Sequence, residues 1–197
     1  MAAACWWLMF NTSVLLYPLW IIIIGGRLHG FGVILHDLTH MNFKEKPISW
    51  RFLEFFVGYP IGTTINAMAY HHLRHHRNTL METDPYFNYN KKGTVLRRIL
   101  LTFKKGPLFV PFWIVRSFVG SLAYYVPKMR TQYARIFLQD ISKKDLTLHA
   151  EVETCCKEDR YQSIFHFFLL IAAFEYEQIF YMYYMANLFL CVYLIHV

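Results

Sequence analysis

Pro18-Leu-Trp-Ile-Ile-Ile-Ile-Gly-Gly-Arg-Leu-His-Gly-Phe-Gly-Val-Ile-Leu-His36-Asp-Leu-Thr-His40 is the stretch on which the fold turns. A helix rises about 1.5 Å per residue and needs about 20 apolar residues to cross a bilayer. Residues 18–36 supply one such span. It closes on His36 and His40, which lie four apart and share a helical face. Upstream, residues 4–17 are apolar but short for a second crossing, with breaks at Asn11-Thr-Ser13 and Pro18. Either they are the remnant of a truncated preceding helix, or 4–24 spans and 26–40 is a separate short helix. The first reading is preferred.

Composition agrees with a membrane chain. Of 197 residues, 56% are apolar and 19% aromatic, more apolar content than a soluble domain of this length carries. The length suits one domain, residues 1–197. The net charge is +7, with basic pairs such as Lys91-Lys92, Arg97-Arg98, Lys104-Lys105 and Lys143-Lys144 between apolar stretches. That pattern marks loops kept on the cytoplasmic side near anionic lipid. Nucleic-acid binding is set aside, because the charge forms no polar face free of long apolar runs. Cys5, Cys155, Cys156 and Cys191 form no C-x-x-C and read as free thiols in a reducing compartment. The N-terminus lacks the basic region of a signal peptide.

Further along, residues 41–50 read as a loop. Residues 49–60 set Trp50, Phe52, Leu53, Phe55 and Phe56 beside Arg51 and Glu54, as in a helix half sunk in the interface. Gly58, Pro60 and Gly62 interrupt it, and 63–78 resume as helix. Residues 82–93 are a loop. Residues 94–105 form an amphipathic surface helix, with Val95, Leu96, Ile99, Leu100 and Phe103 on one face and Arg97, Arg98, Lys104 and Lys105 on the other. Residues 107–126 are long enough to span, but Arg116 sits mid-segment and both flanks are basic. They are therefore read as in-plane or re-entrant. After a polar stretch over 128–160, the apolar 161–174 and 178–196, parted by Glu175-Tyr-Glu177, read as a hairpin that crosses and returns.

Six of the ten histidines fall in two clusters, His36/His40 and His71-His72-Leu-Arg-His75-His76. On a helix His72, His75 and His76 share a face, although His71 also pairs with His75 by spacing. Five imidazoles converging from two helix ends could hold more than one metal ion. Imidazole suits Zn, Cu, Fe and Ni, so ligand type alone selects none of them. A zinc-protease reading needs H-E-x-x-H, and Asp37 occupies the glutamate position, one carbon short. Asp37 instead suits a carboxylate that orients a ligand through its far ring N–H, and Asp84 either does the same or caps a turn. Arg74 and Arg77 read as a solvated face. His29, His149, His166 and His196 read as ordinary hydrogen-bonded histidines.

H-x-x-x-H at 36–40 closing an apolar helix, H-x-x-H-H at 72–76 and then Asp84-Pro85 resemble the membrane fatty-acid desaturase superfamily. The resemblance covers residues 18–90 by motif and most of the chain by hydropathy. It implies that His36, His40, His72, His75 and His76 ligate a non-haem centre of two iron ions at the cytoplasmic face. It also implies that O2 is the co-substrate and that electrons arrive from ferredoxin or cytochrome b5. The superfamily's third box, H-x-x-H-H after a transmembrane hairpin, has no match here. The chain is accordingly expected to be an incomplete member, a fragment or frameshift product, with little activity alone.

The reading is an all-α, multi-pass integral membrane protein with interfacial amphipathic helices and a cytoplasmic-face metal site. Its function would be O2-dependent desaturation of an acyl chain on a lipid, acyl-CoA or acyl carrier protein. The alternatives are a carotenoid hydroxylase or ketolase of the same superfamily, and a non-catalytic membrane metal-binding protein.

Overall fold

Tyr17–Thr39 is one unbroken helix, α1. Pro18 sits in its first turn, where the missing N–H has no intrahelical partner to lose. The helix stops at His40, whose N–H turns back to the carbonyls of Asp37 and Leu38. One helix over this length rules out a division into 4–24 and 26–40. Ahead of it stands the 3-10 turn Val14–Leu16, capped by the Ser13 hydroxyl accepting from the Leu15 N–H. Among the described residues, Val14–Thr39 is the one helix long and apolar enough to cross a membrane. The computed structural model describes residues 7–41, 48–79, 81, 83–85, 95–140, 142, 144–177, 179, 183–185 and 187, with backbone only at 48, 95–107 and 109. The expectations for residues 1–6, Cys5, the loops at 42–47 and 86–94, most of 178–196, Cys191 and His196 lie outside the described residues.

The next stretch changes pitch three times. α2, Ile48–Leu53, runs into a π turn, Glu54–Gly58, and a 3-10 turn, Tyr59–Ile61. Gly62 then adopts φ +77, where a side chain would also meet Trp113 Cβ at 2.9 Å. α3, Ile65–Asn78, begins with the Thr64 hydroxyl accepting from the Ala67 N–H. Glu54 Oε1 adds a second cap, accepting from the Ile65 N–H at 2.7 Å. Glu54 is fully buried for this reason. It is not part of a wet face of the 49–60 helix. Phe52, Phe55 and Phe56 do face outward.

The expected break between the 94–105 helix and the 107–126 segment is absent. Val95–Tyr125 is one 31-residue helix, α4. Proline removes only one hydrogen bond from a helix, and the flanking turns can carry it through. The 3-10 turn Pro127–Met129 leads to α5, Arg130–Phe137. The last described helix, α6, is Ala150–Glu175, with Glu151 and Glu153 in its first turn, where the helix dipole favours anions. α6 thus starts well before the apolar 161–174. Beyond it, Asn187 returns to donate to the Pro60 carbonyl at 3.1 Å.

α4 and α6 form the main pairing, and α1 packs on α3. Gly120 makes the α4–α6 approach possible, since a Cβ there would lie 2.1 Å from Asp159 Oδ2. Between these helices Arg116, Asp159, Gln162 and His166 are fully buried, while Val115, Phe118, Ile164, Phe168 and Phe174 face outward. Arg116 is therefore neither in lipid nor at a surface. Its guanidinium meets Asp159 Oδ1 at 2.7 Å, and Tyr133 donates to Asp159 Oδ2 at 2.6 Å. The charge that argued against crossing by 107–126 is neutralised inside the bundle. Cys155 and Cys156 are buried free thiols.

Candidate metal centre

The C-terminal end of α1 meets the C-terminal half of α3. The cap that starts α3 at Thr64 and the stop of α1 at His40 bring the two clusters face to face. His36, His40 and His72 offer ring nitrogens that all lie within 4.8 Å of one another. His40 Nε2 lies 3.1 Å from His72 Nε2, and His76 Nε2 lies 2.8 Å from the same atom. One ring nitrogen carries either a proton or a single lone pair, so His72 Nε2 cannot satisfy both neighbours by hydrogen bonding. A cation among the three resolves that conflict. Nitrogens bound side by side on an octahedral first-row ion, at about 2.1 Å each, sit about 3.0 Å apart. The donor set fits one such ion.

The His72 pKa is lowered to about 4, first by burial and then by the neighbouring His36, His76 and His40. His72 is thus neutral at physiological pH, the form that ligates. His75 Nδ1 meets Asp84 Oδ1 at 2.8 Å, and Asp84 is buried. With Nδ1–H donated to this carboxylate, Nε2 keeps its lone pair. Asp37 Oδ1 lies 3.1 Å from His36 Nδ1, with both side chains exposed. All seven residues singled out in the sequence therefore fall in one region, with Asp84 against His75 and Asp37 against His36.

Two expectations for α3 change. His71 points away from the cluster, its Nε2 lying 2.8 Å from Gln139 Oε1. That contact settles the helix register that spacing alone leaves open. Arg74 is not solvated. It pairs with Asp140 at 2.7 Å and donates to the Leu138 and Gln139 carbonyls. Arg77 is exposed as expected. Among the scattered histidines, His166 is buried against the Ser117 hydroxyl at 2.7 Å, and His149 is exposed at the start of α6. Gln139 and Asp140 escape sequence reading. The one local signal is Asp140-Ile-Ser142, an Asx turn in which the Ser142 N–H donates to Asp140 Oδ1 at 2.7 Å.

Burial would raise the Asp140 pKa, but hydrogen bonds from Ser142 and Tyr70 and the Arg74 charge outweigh it and hold the group below the usual carboxylate range. A carboxylate depressed in the folded state stabilises it above the unfolded pKa of about 3.9, and that contribution is lost as pH falls below it. Urea midpoints are expected to drop between pH 5 and 3, and Asp140→Asn to flatten that dependence. An equal slope in wild type and variant overturns the assignment.

The family model described as Fatty acid desaturase matches residues 12–196. No curated protein and no solved structure gives a match.

Proposed function

The chain belongs to the fatty acid desaturase family, and from that premise we propose that it serves O2-dependent desaturation of a fatty acyl chain carried on a lipid or on coenzyme A. The observation that supports this most directly is the meeting of His40 and His72, 32 residues apart, at 3.1 Å with His76 beside them. His36, His40, His72 and His76 would hold iron, and His75, oriented by Asp84, would serve a second ion. Iron bound there would supply O2 activation and removal of hydrogen from an unactivated C–H bond. The protein's own residues do the rest. Asp84 fixes the tautomer of His75, Asp37 steadies His36, and a neutral His72 keeps its lone pair for ligation.

The outward apolar rows on α4 and α6 enclose the buried Arg116–Asp159 pair, an inside-polar pattern that suits further membrane crossings beside α1. We place the histidines on the cytoplasmic face, where ferredoxin or cytochrome b5 would deliver electrons. A chain of net charge +7 suits an acidic donor. The test is expression in a host lacking desaturases, with fatty-acid profiling in air and under argon. New unsaturated acyl chains that need both air and His72 support the reading. A folded, iron-loaded protein that leaves acyl chains unchanged and oxygenates a carotenoid instead overturns it.

A further inference from the structure

Three residues of α3 on the side away from the metal cluster are gripped by one distant corner of the chain. Tyr70 donates its phenol O–H to Asp140 Oδ2, Arg74 pairs with the same oxygen at 2.7 Å, and His71 meets Gln139 Oε1 at 2.8 Å. Arg74 also donates to the Leu138 and Gln139 carbonyls at 3.2 and 2.8 Å. At about 100° per residue, Tyr70, Arg74 and His71 occupy about a quarter of the helix circumference. His72 and His76 point from the opposite side. The corner thus fixes the rotation of α3 from behind without touching the cluster.

Gln139 holds φ +52 and is the one residue other than glycine with positive φ among those described. Such backbone is strained for glutamine and persists where the surroundings over-determine it. Gln139 directly follows the C-cap of α5, where the Asp140 N–H returns to the Ala134 carbonyl at 3.0 Å, and from there the Gln139 amide reaches His71.

We propose that Gln139, supported by Asp140, is a positioning residue for the metal centre: it acts through His71 to set the rotation of α3 and so the aim of His72 and His76 at His36 and His40. The proposal rests on the reading of the histidine cluster as a metal site. Its physical basis is leverage. A side-chain tip about 6 Å from the helix axis moves about 1 Å for a 10° rotation. Metal–ligand distances tolerate only about 0.2 Å. Small looseness in the corner therefore becomes large looseness at the ligands.

The test uses the full chain in detergent, titrated with Co2+ and followed by its visible absorption. Gln139→Gly removes the amide but suits the left-handed backbone, so thermal stability is expected to hold or rise. Co2+ affinity is nevertheless expected to fall about tenfold, with a shifted absorption band. Gln139→Glu keeps an acceptor at the same reach and is expected to restore affinity to within about twofold of wild type. The His71→Ala/Gln139→Gly double variant should lose no more affinity than His71→Ala alone. Undiminished Co2+ binding in Gln139→Gly, failure of Gln139→Glu to restore it, or affinity losses that merely follow melting temperature overturn the proposal. Wild type and His72→Ala run alongside. If wild type takes up no Co2+, or His72→Ala binds it equally well, the metal reading itself falls and the positioning role with it.

Discussion

Asp159→Ala is expected to cost about 3–5 kcal/mol of stability. The aspartate is fully buried and anchors two neighbours at once. Arg116 reaches it through two nitrogens, at 2.7 and 3.4 Å, and Tyr133 donates to it at 2.6 Å. Gln162 accepts from the same guanidinium at 3.2 Å, and the Gly62 carbonyl and Thr63 hydroxyl lie at its other end. Removing the carboxylate strands a buried guanidinium, and most of the loss comes from that stranded charge. The double variant Arg116→Met/Asp159→Leu removes both charges and is expected to recover most of the stability. Thermal unfolding in detergent measures both. An Asp159→Ala melting temperature equal to wild type would mean that the pair is not the keystone its burial implies.

His72→Ala is expected to reduce iron occupancy to background while leaving helix content unchanged. Its Nε2 is the atom shared by His40 and His76, so its loss opens the cluster at the centre. Losing a group that merely orients a ligand already costs about 10–100-fold in metal affinity, so losing the shared ligand should exceed that range. Asp84→Asn, which leaves His75 in place, is expected to fall within it. Metal content by elemental analysis with far-ultraviolet circular dichroism separates ligand loss from misfolding. Full iron occupancy in His72→Ala would remove the cluster from consideration as the metal site.

Local spacing made the histidines legible. His36/His40 and His72/His75/His76 need only helical periodicity to share a face, and the helices stand where that periodicity places them. The partner of each cluster was less visible, because it depends on how α1 and α3 pack. Glu54 looked like a wet-face residue because nothing within a few positions reveals that the N-terminus of α3 lacks an acceptor. Arg74 looked solvated because its partners lie 64 and 65 residues away. The break expected between 94–105 and 107–126 followed the change from a two-faced to an apolar pattern, which carries no information about backbone continuity along α4. Arg116 weighed against membrane crossing for as long as its charge stood alone, and Asp159, 43 residues later, cancels it.

That separation also sets an order of events during synthesis. At about 5–20 residues per second, the ribosome delivers Asp159 roughly 2–9 s after Arg116. For those seconds α4 carries an uncompensated cation, which is costly to bury unpaired. The nascent helix must therefore keep Arg116 in contact with water until α6 emerges. α4 and α6 then close as a pair, so burial of this polar centre is a post-pairing step and not a helix-by-helix one.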